Sequence, residues 1–147
     1  MKTLQELQPL ILEWAKDKDL LKFENAPKQR LKLLEEVGET AGAILKNKTS
    51  EIKDGIGDIF VVLVILNDQI GGNLEFNINK MDSSFFENLS DILKDIAYSF
   101  SLSGEISSLN EICLRLNLNL TECANLAWNE IKDRKGNTID GVFIKNN

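Results

Sequence analysis

Glu51-Ile52-Lys53-Asp54-Gly55-Ile56-Gly57-Asp58-Ile59-Phe60-Val61-Val62-Leu63-Val64-Ile65-Leu66-Asn67-Asp68-Gln69-Ile70 decides the fold class of this chain. Its centre, Ile59 to Leu66, is apolar throughout and partly β-branched, a composition open to a buried strand or a buried helix. Length favours the helix. The flanks Glu51 to Asp54 and Asn67 to Gln69 carry the segment past ordinary strand length, and Gly71-Gly72 supplies a stop. A helix that is apolar all the way round is a buried one.

The neighbouring segments also read as helical. Asn25-Ala26-Pro27 is a start signal, with Pro27 in the first turn. From Lys28 to Lys46, Leu31, Leu34, Val37, Ala41, Ile44 and Leu45 form the expected core-facing stripe. Glu35, Glu36 and Glu39 fall roughly opposite it. Asn47 to Ser50 is an expected loop, with Ser50 capping the decisive helix and Glu51 in its first turn. Residues 4 to 23 carry apolar positions at mostly helical spacing, and Pro9 implies a start or a kink near it. Downstream, residues 73 to 84 read as a polar loop. Phe85, Phe86, Leu89, Ile92, Leu93, Ile96, Ala97, Phe100 and Leu102 recur with helical period until Ser103-Gly104. Ile106 to Leu116 reads as another helix, and Thr121 caps a last one to about Arg134. Gly136 and Gly141 flank a short tail ending in Val142-Phe143-Ile144-Lys145. With no linker and no repeat, the expectation is an all-α helical bundle in one domain, 1–147.

The totals exclude several chemistries. The chain has 147 residues and a formal net charge of -6, so duplex nucleic acid, which needs a basic face, is not an expected partner. There is no His, which removes Ser-His-Asp and Cys-His triads and His-ligated zinc. Acid–base work falls to carboxylates, Lys, Tyr or metal-bound water. Two cysteines, Cys113 and Cys123, predict reduced core thiols in a cytoplasmic protein rather than a disulfide framework. Residues 1–12 include Gln, Glu and Pro9 and do not read as a signal peptide, and the run Ile59 to Leu66 is too short to span a bilayer.

Two acidic patterns carry the functional signal. Glu35-Glu36-Val37-Gly38-Glu39 and Asp54-Gly55-Ile56-Gly57-Asp58 each place carboxylates three or four residues apart, on one helix face. Such groups repel unless a hard divalent cation such as Mg²⁺ compensates them. For the three glutamates, a solvated face is the simpler reading. Asp58 is different, because it directly precedes the apolar run, where an unpartnered carboxylate is expensive. A ligand role and a bond to a Lys or Trp at the mouth of the bundle are equally open there. Gly38, Gly42, Gly55 and Gly57 are costly inside helices and suit close helix–helix approach.

Together these residues resemble a known family. Gln29-Arg30-Leu31-Lys32-Leu33-Leu34-Glu35-Glu36-Val37-Gly38-Glu39, then Ile56-Gly57-Asp58-Ile59-Phe60-Val61-Val62-Leu63, is similar to the MazG-like branch of the all-α nucleoside triphosphate pyrophosphohydrolases. Trp14-Ala15, Ala127-Trp128-Asn129-Glu130-Ile131-Lys132-Asp133-Arg134-Lys135-Gly136 and Asp140-Gly141-Val142-Phe143-Ile144-Lys145 extend the likeness to most of the chain. The resemblance implies Mg²⁺, or Mn²⁺ in its place, bound by Glu36, Glu39 and Asp58. The family's pattern has Glu where Gly55 stands here, so Asp54, one residue earlier, is the substitute candidate. The implied reaction is hydrolysis of (deoxy)nucleoside triphosphates at the α-phosphorus, giving monophosphate and pyrophosphate, with Glu35 available to orient or deprotonate water. Lys32, Lys132, Arg134 and Lys135 are the cations available to phosphates, and Trp14 or Trp128 can stack on a base. A homodimer or homotetramer is implied too. Gly55 keeps a competing reading in play: a non-catalytic helical interaction module with a degenerate metal site.

Overall fold

A computed structural model describes residues 1–76, 78, 88–100, 102 and 104–147. Among the described residues there are six α-helices: α1 Leu4–Asp17, α2 Ala26–Leu45, α3 Thr49–Gln69, α4 Leu89–Tyr98, α5 Glu105–Arg115 and α6 Leu120–Ile131. A 3₁₀ turn, Phe23–Asn25, leads into α2, and a hairpin of β1 Gly136–Ile139 and β2 Val142–Lys145 follows α6. The all-α class is correct. No helix among the described residues is long and apolar enough to cross a membrane.

The decisive segment is indeed a helix, and it is the hub of the fold. Every residue of α3 from Ile59 to Asn67 is buried, Phe60 and Leu63 completely. Full burial of such side chains is worth about 1.5–3 kcal/mol each. Helices α2, α6 and α1 pack around it. Two glycines allow that packing. A Cβ on Gly57 would lie 2.3 Å from the Cys123 carbonyl oxygen of α6. A Cβ on Gly55 would lie 2.2 Å from Thr40 Oγ1 of α2. Cys113 and Cys123 are free, buried thiols, as expected.

Several boundaries differ from expectation. Helix α1 starts at Leu4, because Thr3 and Glu6 form a reciprocal capping box, and Pro9 sits inside the helix just past its first turn. Helix α3 begins at Thr49, so Ser50 lies within it and does not cap it. Asn119, not Thr121, caps α6 by accepting from the Glu122 N–H. The helix expected to run to Leu102 ends at Tyr98. Phe85, Phe86 and most of the loop assigned to 73–84 lie outside the described residues. The largest correction concerns α2. Leu31, Leu34 and Leu45 are 60%, 52% and 84% exposed. The inward face is instead Ala26, Gln29, Leu33, Glu36, Val37, Thr40 and Ala43. Of its polar side chains, Gln29 and Glu36 line cavities, whereas Thr40 is fully buried and bonds to the Glu36 carbonyl.

The short tail expected around Gly136 and Gly141 is a β-hairpin. Asp140 and Gly141, at φ 50° and 81°, form its two-residue turn, a conformation that matches the twist of the strands it joins. The hairpin is tied back to α1. Thr138 Oγ1 donates to the Lys18 carbonyl at 2.7 Å. Phe143 meets Trp14 edge-on, with ring centroids 5.0 Å apart.

Candidate active site

Helices α2 and α3 bring the two acidic patterns together. A cleft of about 390 Å³ is lined by Glu36, Glu39, Lys46, Glu51, Asp54 and Asp58. On α2, one carboxylate oxygen each of Glu35, Glu36 and Glu39 lie within 4.8 Å of one another. Glu36 is only 5% exposed, whereas Glu35 and Glu39 are open to solvent. Asp54 is exposed and Asp58 half-buried, one turn apart on α3.

The electrostatics of this group are those of an under-compensated anionic site. Desolvation, then the facing charges of Glu36 and Glu130, push the Asp58 carboxyl up to about 7, against the smaller opposing pull of Arg134 and Lys32. Lys32 is the cation at hand on α2. Its Nζ lies 2.9 Å from Glu35 and 2.8 Å from Glu36. Partial burial works against the Lys32 charge, but the hydrogen bonds it donates to Glu36 and Glu35 outweigh it and raise its pKa. Arg134 is paired with Glu130 on α6.

Thr40 accounts for the departure at Gly55. It is fully buried, and its hydroxyl donates to the Glu36 carbonyl at 2.8 Å. While Thr40 stands there, no side chain fits at position 55 without displacement. The acidic position on α3 therefore moves to Asp54, whose side chain reaches the same cleft.

A second cavity, about 480 Å³, adjoins the first and shares Glu36 and Asp58 with it. Val61, Val62 and Ile65 of α3 form an apolar wall, and Trp14 and Phe143 contribute aromatic rings. Lys28, Lys32, Arg134 and Lys145 supply cations around the cavity. Of the residues expected to contact substrate, Trp14, Lys32 and Arg134 are at this cavity. Lys132 and Lys135 are exposed and line neither cavity. Trp128 packs against the core. Gln29, Lys46 and Phe143 belong to these cavities but escaped the sequence reading of site residues. Phe143 and Gln29 both lie in stretches that resemble the family, but neither carries a charge or a ligand-like spacing that singles it out.

Residues 27–97 match the family model of the MazG nucleotide pyrophosphohydrolase domain. The resemblance seen in the sequence is thereby borne out for that segment, which holds α2 from Pro27 onward, α3 and the carboxylates those helices carry. The match supports an enzyme of the nucleotide pyrophosphohydrolase type. The chain is also similar to an uncharacterized 18.2 kDa protein in the rep-hol intergenic region of Haemophilus phage HP1 (strain HP1c1), 48% identical over 69 residues. That alignment covers 47% of this chain and 42% of the phage protein, less than half of its length. No solved structure matches the chain.

Proposed function

We propose that this protein hydrolyses (deoxy)nucleoside triphosphates to the monophosphate and pyrophosphate, with Mg²⁺ or Mn²⁺ held by Glu36, Glu39, Asp54 and Asp58. The observation that carries this reading is the convergence of those carboxylates, from two helices, on one cleft that opens into an apolar cavity. The donor set fits a hard divalent cation: it offers oxygen ligands only, and the crowding of negative charge around Asp58 is what a cation would relieve. Such a cation supplies charge neutralisation for the triphosphate and acidifies water.

The chain's own groups would do the rest. Lys46, lining the cleft, and Arg134, lining the second cavity and paired with Glu130, would meet phosphate oxygens. Lys32 would exchange its carboxylate partners for phosphate as the cation arrives. Glu35, solvent-exposed and beside Glu36, is placed to accept a proton from the attacking water. The exposed leucines of α2 support assembly into a dimer or tetramer, and the two buried free thiols suit a reducing cytoplasm.

The test is incubation of the full chain with the four dNTPs and Mg²⁺, with pyrophosphate and monophosphate quantified by ion chromatography. Release of pyrophosphate, lost in Glu36→Gln, is the expected result. A folded protein that releases none would favour the non-catalytic module to which Gly55 points.

A further inference from the structure

We infer that the second cavity is a nucleobase pocket in which Gln29 reads the hydrogen-bonding edge of the base. This inference rests on the proposed nucleotide chemistry and adds to it a recognition residue. Gln29 is only 6% exposed and lines the cavity from the first turns of α2. Among the described residues its side-chain amide forms no hydrogen bond, and its polar atoms keep access to solvent at the cavity they line instead of being sealed in the core. A second orphan lies in the same place: Trp14 Nε1 is buried without an acceptor. Two unpartnered polar groups in a pocket walled by Val61, Val62, Ile65 and Phe143 describe a site for a flat apolar ring with a polar rim.

The geometry fits one continuous ligand. Gln29 and Glu36 share a helix face seven residues apart, about 10 Å along the axis. The base edge would thus sit at Gln29 with its phosphates toward Glu36 and Asp58. A Gln amide offers a donor and an acceptor side by side, the pattern that pairs bidentately with adjacent acceptor and donor atoms on a base. Phe143 brings the C-terminal hairpin, outside the matched residues 27–97, into contact with the ligand.

Isothermal titration of the full chain with the four deoxynucleoside monophosphates, and separately with Mn²⁺ alone, tests this. The wild type is expected to rank the bases over about 10-fold or more in affinity. Gln29→Leu should reduce that range to about 2-fold, keep Mn²⁺ affinity and melt no lower, since the amide it removes makes no hydrogen bond to the protein. Gln29→Glu, which only accepts, should move the preference toward guanine, whose N1–H and N2–H₂ are adjacent donors. An unranked wild type, or a ranking that survives Gln29→Leu, overturns the inference. Pyrophosphate release without base ranking would refute this inference alone. Base ranking without pyrophosphate release would refute the hydrolase reading and leave the pocket standing.

Discussion

Replacing Asp58 by Asn should stabilise the metal-free protein at neutral and alkaline pH while destroying its activity. The carboxyl is raised from 3.8 to about 7 in the folded chain. An acid with a raised folded pKa favours the fold fully below its unfolded pKa, and that advantage is lost as pH rises through the folded pKa. The loss therefore falls between about pH 4 and 7, and above pH 7 the folded protein carries the whole penalty. At 1.36 kcal/mol per pH unit the ceiling is about 4 kcal/mol. Solvent reaches the half-buried side chain and screens it, which brings the expected penalty to about 2 kcal/mol. Asn keeps the shape without the charge. Urea denaturation in EDTA should show the wild type losing about 2 kcal/mol between pH 4.5 and 8 and Asp58→Asn losing much less. At pH 8 the variant should melt roughly 6 °C higher. Added Mg²⁺ should reverse the order, since only the wild type gains a ligand. A variant less stable than wild type at pH 8 in EDTA would refute the picture of an under-compensated carboxylate.

Other perturbations probe separate parts of the argument. Millimolar Mg²⁺ or Mn²⁺ should raise the melting temperature of the wild type, by about 2.7 kcal/mol of stability at a hundredfold excess over Kd; no shift by differential scanning fluorimetry would remove the metal site. Glu36→Gln should abolish that shift, whereas Asp54→Asn, at an exposed position, should only weaken it. Light scattering at micromolar concentration should report a dimer or tetramer, and Leu34→Glu, on the exposed face of α2, should yield a smaller species. Gly55→Ala should cost about 1–3 kcal/mol by overpacking against Thr40, with Thr40→Ala restoring most of it. Gly57→Ala should cost more, because its obstacle is the α6 backbone at Cys123.

The sequence was most legible where one physical effect dominated. Continuous hydrophobicity over Ile59 to Leu66 made α3 a buried helix, and the Asn25-Ala26-Pro27 signal fixed the start of α2. It was least legible where polarity and burial part company. The inward face of α2 carries Gln29, Glu36 and Thr40, so a hydrophobic-stripe argument turns the helix the wrong way and leaves Leu31 and Leu34 exposed. An inward polar face is the pattern expected when a helix lines a site rather than a core, because a cavity, unlike packed side chains, leaves room for a ligand to satisfy those groups. On α3, Val61, Val62 and Ile65 are buried and also form an apolar wall of the pocket. The hairpin was missed for a different reason. Its Asp140-Gly141 turn is a strong local signal, but four-residue strands contribute little periodicity, and only the Trp14–Phe143 contact, 129 positions apart in sequence, reveals that the tail closes the cavity. The two misreadings thus converge on one place. Gln29, on the polar inward face of α2, and Phe143, on the hairpin, both line the space beside the carboxylates.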